Sequence, residues 1–401
     1  MKPKPKRRIV DSRFLINLCL EFAGPLMVSI ALSKNLNPES RGAYSLYIAQ
    51  IFIFSFLPSS VLGKSILYLH MVGKVNVFNL IFIVKSFFFL IISCEIVFTI
   101  SLLIQGNVNL FSLVLILGIM VNGFSILFSS FTSTLSIQRL LFPLNSFNFL
   151  NHTVVTLLVI FTDISSESAL GFWIIFSFLS IFFQIIFLRR NHHILHDTKK
   201  SLSNLEILKI YKDKVKSIPV FISIFDSLKI DLVIISFFLG LEALGNYVVI
   251  STLCLSLGVV NRGFVLYLYN SGKILSLKKY MLKGVMGFAG VGIFIGVVVY
   301  IFLVQLVNLI SSNLYTISPQ VFLTIWCANI AYWCRRYVSE ILINNELDLL
   351  VGISELSSIL AFVLISIGNP ILSLQNFGFN LAFSMVIALI IVVQWSAKKL
   401  N

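Results

Sequence analysis

Long apolar runs separated by short polar turns recur along the whole chain, and by length they read as membrane-spanning helices. A span needs about 20 mostly apolar residues to cross roughly 30 Å of hydrocarbon. By that ruler the first half holds Phe14–Ser33, Tyr44–Lys64, Ile81–Ile104, Leu110–Leu135, Asn145–Thr162 and Ala169–Arg189. The second half holds Ser217–Leu239, Tyr247–Leu268, Gly284–Ile310, Ile317–Ser339, Asp348–Ile367 and Leu372–Trp395. The runs are continuously apolar instead of alternating, which excludes a β-barrel.

The two sets of spans repeat one another. Leu36–Tyr44 reads LNPESRGAY and Leu239–Tyr247 reads LGLEALGNY, so Glu39, Gly42 and Tyr44 recur 203 positions later as Glu242, Gly245 and Tyr247. The same offset carries each apolar run of the first half onto one of the second. With an even number of spans per repeat, both halves enter the membrane from one side, and such parallel repeats place a substrate pathway at their interface. The expected fold is an all-α polytopic membrane protein of about twelve transmembrane helices in two parallel six-helix repeats around a central cavity. Its expected parts are an N-terminal bundle over 1–188, a cytoplasmic linker over 189–216 and a C-terminal bundle over 217–401.

Composition agrees. The chain is 58% hydrophobic and 11% charged, with a mean hydropathy of +0.98, far from the balance of a soluble domain. Its net charge of +14 comes from 30 Lys and Arg against 16 Asp and Glu. If the N-terminus is cytoplasmic, about 27 of the basic residues fall on inside segments, which is the positive-inside bias. Both termini are therefore expected in the cytoplasm, and anionic headgroups account for the charge with no nucleic acid needed. The basic start MKPKPKRR leads into the first span without a small-residue cleavage site, so it is read as retained. The polar stretch from Arg189 to Ser217 is either a plain tether or, over LEILKIYKDKVK, an interfacial helix.

Cys19, Cys94, Cys254, Cys327 and Cys334 all fall within spans without pairing motifs, and read as small core residues. His192, His193 and His196 with Asp197 have the spacing of metal ligands on a helix, but no second ligand cluster supports them, and no metal or cofactor is expected. Phosphate-loop, HExxH and GxSxG signatures are absent, so no catalytic residues and no enzyme activity are expected. A membrane polysaccharide polymerase would be expected to carry a large external loop, and every external loop here is short.

The twelve-span pattern, the basic start, the LNPESRGAYSLY turn after the first span and the glycine in LGKSILYL near the end of the second carry a resemblance. They resemble the polysaccharide transport group of the multidrug, oligosaccharidyl-lipid and polysaccharide exporter superfamily, in particular Wzx-type flippases of O-antigen and capsule units. The resemblance covers the whole chain in architecture and about the first 65 residues in motif. It implies a flippase in the bacterial inner membrane, serving lipopolysaccharide or capsule biosynthesis. Such a protein would move undecaprenyl-diphosphate-linked oligosaccharide outward by alternating access, with H+ or Na+ as coupling ion and the polymerase machinery as a partner. Its drug-exporting relatives are the alternative. A lipid II flippase is disfavoured, because that group resembles a fourteen-span design.

The turn also has a reading of its own: Pro38 and Glu39 stop one helix and cap the next, and Gly42 allows a close approach or a left-handed turn. Function is sought in polar residues within the spans, which are costly to bury and tend to face a bundle interior. Glu21 lies about 12 Å from the start of the first span, beside Asn17 and the Gly24–Pro25 pair. Asp226, Lys229 and Asp231 occupy the same depth in the seventh. Lys229 and Arg262 are assigned to the polyanionic headgroup of the substrate, and Glu21, Asp226 and Asp231 to ion coupling. The plainer alternatives are that Asp226 and Lys229 neutralise each other and that Arg262 snorkels to the interface. Lys64, Lys85, Arg335 and Arg336 sit near cytoplasmic ends and read as topology signals, while Glu95 and Glu355 lie deep with no facing assigned. The many Phe residues read as lipid-facing and packing surface.

Overall fold

The computed structural model describes residues 12–71, 110–134, 138–162, 164–190, 229–270, 277–311, 314–343 and 348–399. The third expected span, most of the linker with its three histidines, and the start of the seventh span with Asp226 lie outside the described residues. Among the described residues there are eleven helices and no strand. The helices are α1 (Ser12–Asn35), α2 (Pro38–Met71), α3 (Leu110–Thr134), α4 (Gln138–Phe161), α5 (Ser166–Arg190) and α6 (Ile230–Asn270). They continue as α7 (Leu277–Ile301), α8 (Leu303–Ser311), α9 (Pro319–Ile343), α10 (Asp348–Gly368) and α11 (Leu374–Lys399).

Five of these helices hold stretches long and apolar enough to cross a membrane: Ser166–Phe187, Ile230–Asn261, Met281–Ile301, Leu350–Gly368 and Leu374–Ser396. Their outward faces are apolar. Phe178, Phe182 and Phe183 on α5, Met286 and Phe294 on α7, and Leu356, Leu360 and Leu364 on α10 are each at least half exposed. In water such faces would be an aggregation surface, whereas in lipid they have nothing to lose. The phenylalanines of α5 thus behave as the sequence suggested.

Two spans differ from a single straight rod. The expected ninth span, Gly284–Ile310, is divided at Phe302 into α7 and the short α8. The run exceeds the roughly 20 residues that a crossing requires, and the surplus turns into an amphipathic segment burying Leu303, Val307, Ile310 and Ser311 along one stripe. The other case is α6, which joins the end of the expected seventh span to the eighth. Gly240, at φ 84° and ψ 177°, interrupts it.

The chain packs as two units, one of Met1–Ala43 with Ile234–Asn401 and the other of Tyr44–Val233. In the first, α9, α10 and α11 pack together and α7 lies on α9. Glycines make the α7–α9 contact close. A Cβ on Gly284 would overlap Tyr337, one on Gly296 would overlap Trp326, and the Trp326 indole donates to the Gly292 carbonyl at 3.1 Å. Small residues allow such backbone approach where helices associate in lipid by van der Waals packing. In the second unit, α5 packs on α3 and α4. There Ile51 and Ile174 close over Gly118.

Candidate functional site

The repeated turns build a polar structure in the first unit. At the first turn the chain leaves α1 through Leu36 and Asn37, and the Asn37 side chain accepts the Ser40 amide at 2.8 Å. Asn37 thus acts as the N-cap, Pro38 takes the first helical position and Glu39 lies in the first turn of α2, an arrangement that suits the helix dipole. At the second turn Gly240 stands where Asn37 stands, followed by Leu241 and Glu242. Its φ and ψ fall in a region open essentially to glycine alone.

The two turns touch reciprocally. A Cβ on Gly42 would overlap the carbonyl of Leu241, and a Cβ on Gly245 would overlap the carbonyl of Pro38. Under the offset of 203, Pro38 corresponds to Leu241 and Gly42 to Gly245, so each contact is the image of the other. This is the self-complementary pattern of a two-fold contact, realised inside one chain. Gly42 is helical here, so its role is close approach and not a left-handed turn.

Hydrogen bonds surround the contact. Arg41, 4% exposed, donates from Nη2 to Ser29 Oγ at 2.9 Å. Ser29 Oγ shares a 2.6 Å hydrogen bond with Thr252 Oγ1. The segment between α8 and α9 closes over both turns: Tyr315 donates to the Leu36 carbonyl at 2.9 Å, and the Thr316 amide donates to Asn246 Oδ1 at 3.2 Å. Burial pushes the Tyr315 phenol up to about 12 against the opposing pull of the Arg41 cation, so the hydroxyl stays protonated and able to donate. Val249, Ile310 and Tyr315 form the apolar floor, with Ile30, Leu253 and Ile317 against it. By position Arg41 is a cation in a short connection between two apolar runs. The clue to its burial was in the repeat, because its counterpart is the apolar Leu244, itself fully buried.

The assigned transport residues are distributed differently. Lys229 is half-buried with a left-handed backbone, φ 51°, immediately before α6, and its carbonyl accepts the Leu232 amide at 3.1 Å. Asp231 follows in the first turn of α6 and is also half-buried. Glu21 lies on α1 and Arg262 on α6, each with its side chain outside the described residues. Asp226 lies outside them altogether.

A buried ion pair joins α9 to α10. Arg335 Nη1 lies 2.9 Å from Glu355 Oε1, with the two side chains 2% and 7% exposed. The neighbouring Arg336 is less buried. Nothing in the sequence announces this pair, since its members are on different spans and share no local spacing. In the second unit Asn122 donates to Ser55 at 2.6 Å, and Asn148 accepts from Ser180 at 2.9 Å and from Gln184 at 2.6 Å. Among the described residues no group of His, Cys, Asp and Glu could hold a metal ion.

The sequence matches no family model and no curated protein. Solved structures do match in fold. The chain is similar to the lipid II flippase MurJ in an inward closed conformation, at 13% identity over 97% of this chain and 88% of that one, with a TM-score of 0.67. It is similar to an inward-facing multidrug resistance MATE family transporter of the MOP superfamily, at 12% identity over 96% and 97%, with a TM-score of 0.63. A MATE protein in complex with Br-NRF matches at 13% identity over 96% and 94%, with a TM-score of 0.51. The protein is an integral membrane protein with the all-α, two-repeat fold of these transporters.

Proposed function

We propose that this protein is a flippase that moves undecaprenyl-diphosphate-linked oligosaccharide units from the inner to the outer leaflet of the bacterial cytoplasmic membrane. The observation that carries the reading is the first turn. LNPESRGAY is both the motif resembling the polysaccharide transport group and one half of the reciprocal contact. A backbone-tight closure between repeated turns suits a transporter that opens alternately to its two sides, and a lipid-linked substrate agrees with the likeness to a lipid II flippase. In this reading residues 1–188 and 217–401 form the two bundles, 189–216 joins them in the cytoplasm, and both termini are cytoplasmic. Lys229 and Arg262 neutralise the diphosphate. Glu21, Asp226 and Asp231 take part in coupling to H+ or Na+, and the released units pass to polymerase machinery. The likeness to a multidrug transporter favours a second reading, cation-coupled drug export, which would rest on the same acidic residues.

The test replaces Lys229 and Arg262 with Ala in cells that assemble a surface polysaccharide through this protein. Loss of a charge-assisted contact worth about 1.5–3 kcal/mol should lower surface polysaccharide about tenfold or more at normal membrane insertion. Lys229→Arg and Arg262→Lys should restore part of it. Normal polysaccharide in both alanine variants, with cation-drug efflux lost in Glu21→Gln, would establish the exporter instead.

A further inference from the structure

Helix α4 carries a polar face that its packing does not use up. At about 100° per residue, Asn148, His152, Val155 and Val159 fall on one face with Asn151 beside them, and Leu150, Leu157 and Phe161 fall on the opposite one. Leu150, Leu157 and Phe161 are 59%, 47% and 80% exposed, whereas Val155 and Val159 are buried. Asn148 is nevertheless exposed, so the inward face opens at its polar end, on the side away from the outward apolar surface. Its amide is also held in one orientation. Asn148 Oδ1 accepts from both Ser180 and Gln184, and Gln184 donates in turn to Ser180 at 3.2 Å. The planar amide then turns Nδ2, with two protons to give, away from them. One helical turn on, Asn151 Oδ1 and His152 Nδ1 are buried with no hydrogen-bond partner among the described residues. Thr153 and Thr156 differ, because each donates to a carbonyl of its own helix.

Fastening of α4 to α5 explains only part of this arrangement. Neutral polar side chains commonly join helices in lipid, and Asn148, Ser180 and Gln184 do so here. Phe147 holds the same pair, stacking on Phe183 at 6.3 Å and meeting Phe187 edge-on at 6.2 Å. Asn151 Oδ1 and His152 Nδ1 add no hydrogen bond to that join, yet a buried polar atom without a partner is costly.

The surroundings define the chemistry of the missing partner. Arg139 is the one charged residue of α4, and α5 has none between Glu167 and Arg189. A cationic drug would seek a carboxylate and a diphosphate would seek Lys or Arg, and this face offers neither. It offers an amide donor at Asn148, an acceptor at Asn151 and an imidazole nitrogen that accepts or donates according to tautomer. These stand at i, i+3 and i+4, neighbours about 5–6 Å apart on a helix surface. A hydroxyl both donates and accepts, so adjacent hydroxyls of a sugar ring match such a set.

We propose that Asn148, Asn151 and His152 bind the saccharide of the lipid-linked substrate, with Ser180 and Gln184 positioning the Asn148 amide. The site deepens the flippase reading and rests on it: Lys229 and Arg262 take the diphosphate, and this face takes the sugar. Gln184 lies six residues, about 9 Å, before the end of α5 at Arg190. In the proposed topology that end is cytoplasmic, on the side where substrate is loaded.

The experiment measures binding to the full chain in detergent by native mass spectrometry. Its two probes are undecaprenyl diphosphate and undecaprenyl-diphosphate-linked oligosaccharide, the latter extracted from cells that assemble a surface polysaccharide through this protein. The parent should prefer the sugar-bearing lipid. Asn151→Leu and His152→Phe, which replace each side chain with an apolar one of similar size, should each lower that preference about threefold or more, the effect of one lost hydrogen bond. A parent without preference, or a preference unchanged in both variants, overturns the site. Should these variants fail to insert, Asn148→Asp is read in their place. It keeps an oxygen for Ser180 and Gln184 and loses the donor, so a lowered preference supports the site and an unchanged one overturns it. If the parent binds neither lipid, the flippase reading fails and the site with it, whereas binding of both lipids that no variant alters ends the site alone.

Discussion

The two turns reach the same geometry by different chemistry. In the first, Asn37 caps α2 with its side chain and Pro38 presets the helical start. In the second, Gly240 takes a backbone conformation that other residues avoid. Beyond the break, Arg41 in one turn is replaced by Leu244 in the other, and Ala43 by Asn246. Glu39, Gly42 and Tyr44 agree with Glu242, Gly245 and Tyr247, and of these the two glycines lie in the mutual contact, where their missing side chains let each helix meet the other turn's carbonyl. Constraint therefore lies at the contact, and each turn is free to find its own way of breaking the helix.

That difference can be broken most sharply at the glycines. Gly42→Val and Gly245→Val each drive a side chain into the opposing backbone, and overpacking of this kind costs about 1–3 kcal/mol or more. Because both act on one contact, the double variant should be far less destabilised than the sum of the singles. Thermal unfolding of the four proteins in detergent measures this. Additive losses would mean that the turns are stabilised separately and that the reciprocal contact is incidental.

The helices were legible because each is a long apolar run in a solvent that tolerates little else. The equivalence of the turns was legible because three residues recur at one offset. What the turns do to each other was not, because contact between two segments about 200 residues apart leaves no local pattern. Pro38 and Glu39 were read correctly as punctuation, yet the capping side chain belongs to Asn37, and the left-handed backbone belongs to Gly240 and not Gly42. Arg335 shows the same limit. One-dimensional position put it near a span end, but only the packing of α9 on α10 brings Glu355 to it. Lys229 was placed at mid-span by counting, whereas its left-handed backbone at the foot of α6 depends on neighbours that hydropathy does not describe.

The second-largest effect should come from the unlike halves of the two breaks. Gly240→Ala meets no neighbouring atom within 4 Å, so any loss is backbone strain alone, about 1–3 kcal/mol for this conformation. Asn37→Ala removes only the cap, at about 1 kcal/mol. The same unfolding assay should place Gly240→Ala below Asn37→Ala. The reverse order would show that the cap matters more than the strained glycine and that the second turn can relax.

The smallest effect tests whether the segment between α8 and α9 holds the turns closed or merely lies over them. Tyr315→Phe keeps the ring in its apolar floor of Val249 and Ile310 and removes only the hydroxyl that donates to the Leu36 carbonyl. A single neutral hydrogen bond is worth about 0.5–1.5 kcal/mol net, so a modest loss is expected from this change. In a protein already carrying Gly42→Val the same substitution should cost less, because Leu36 leads directly into the displaced turn. An equal cost in both backgrounds would place the Tyr315 contact outside the reciprocal unit and restrict the closure to the four residues Pro38, Gly42, Leu241 and Gly245.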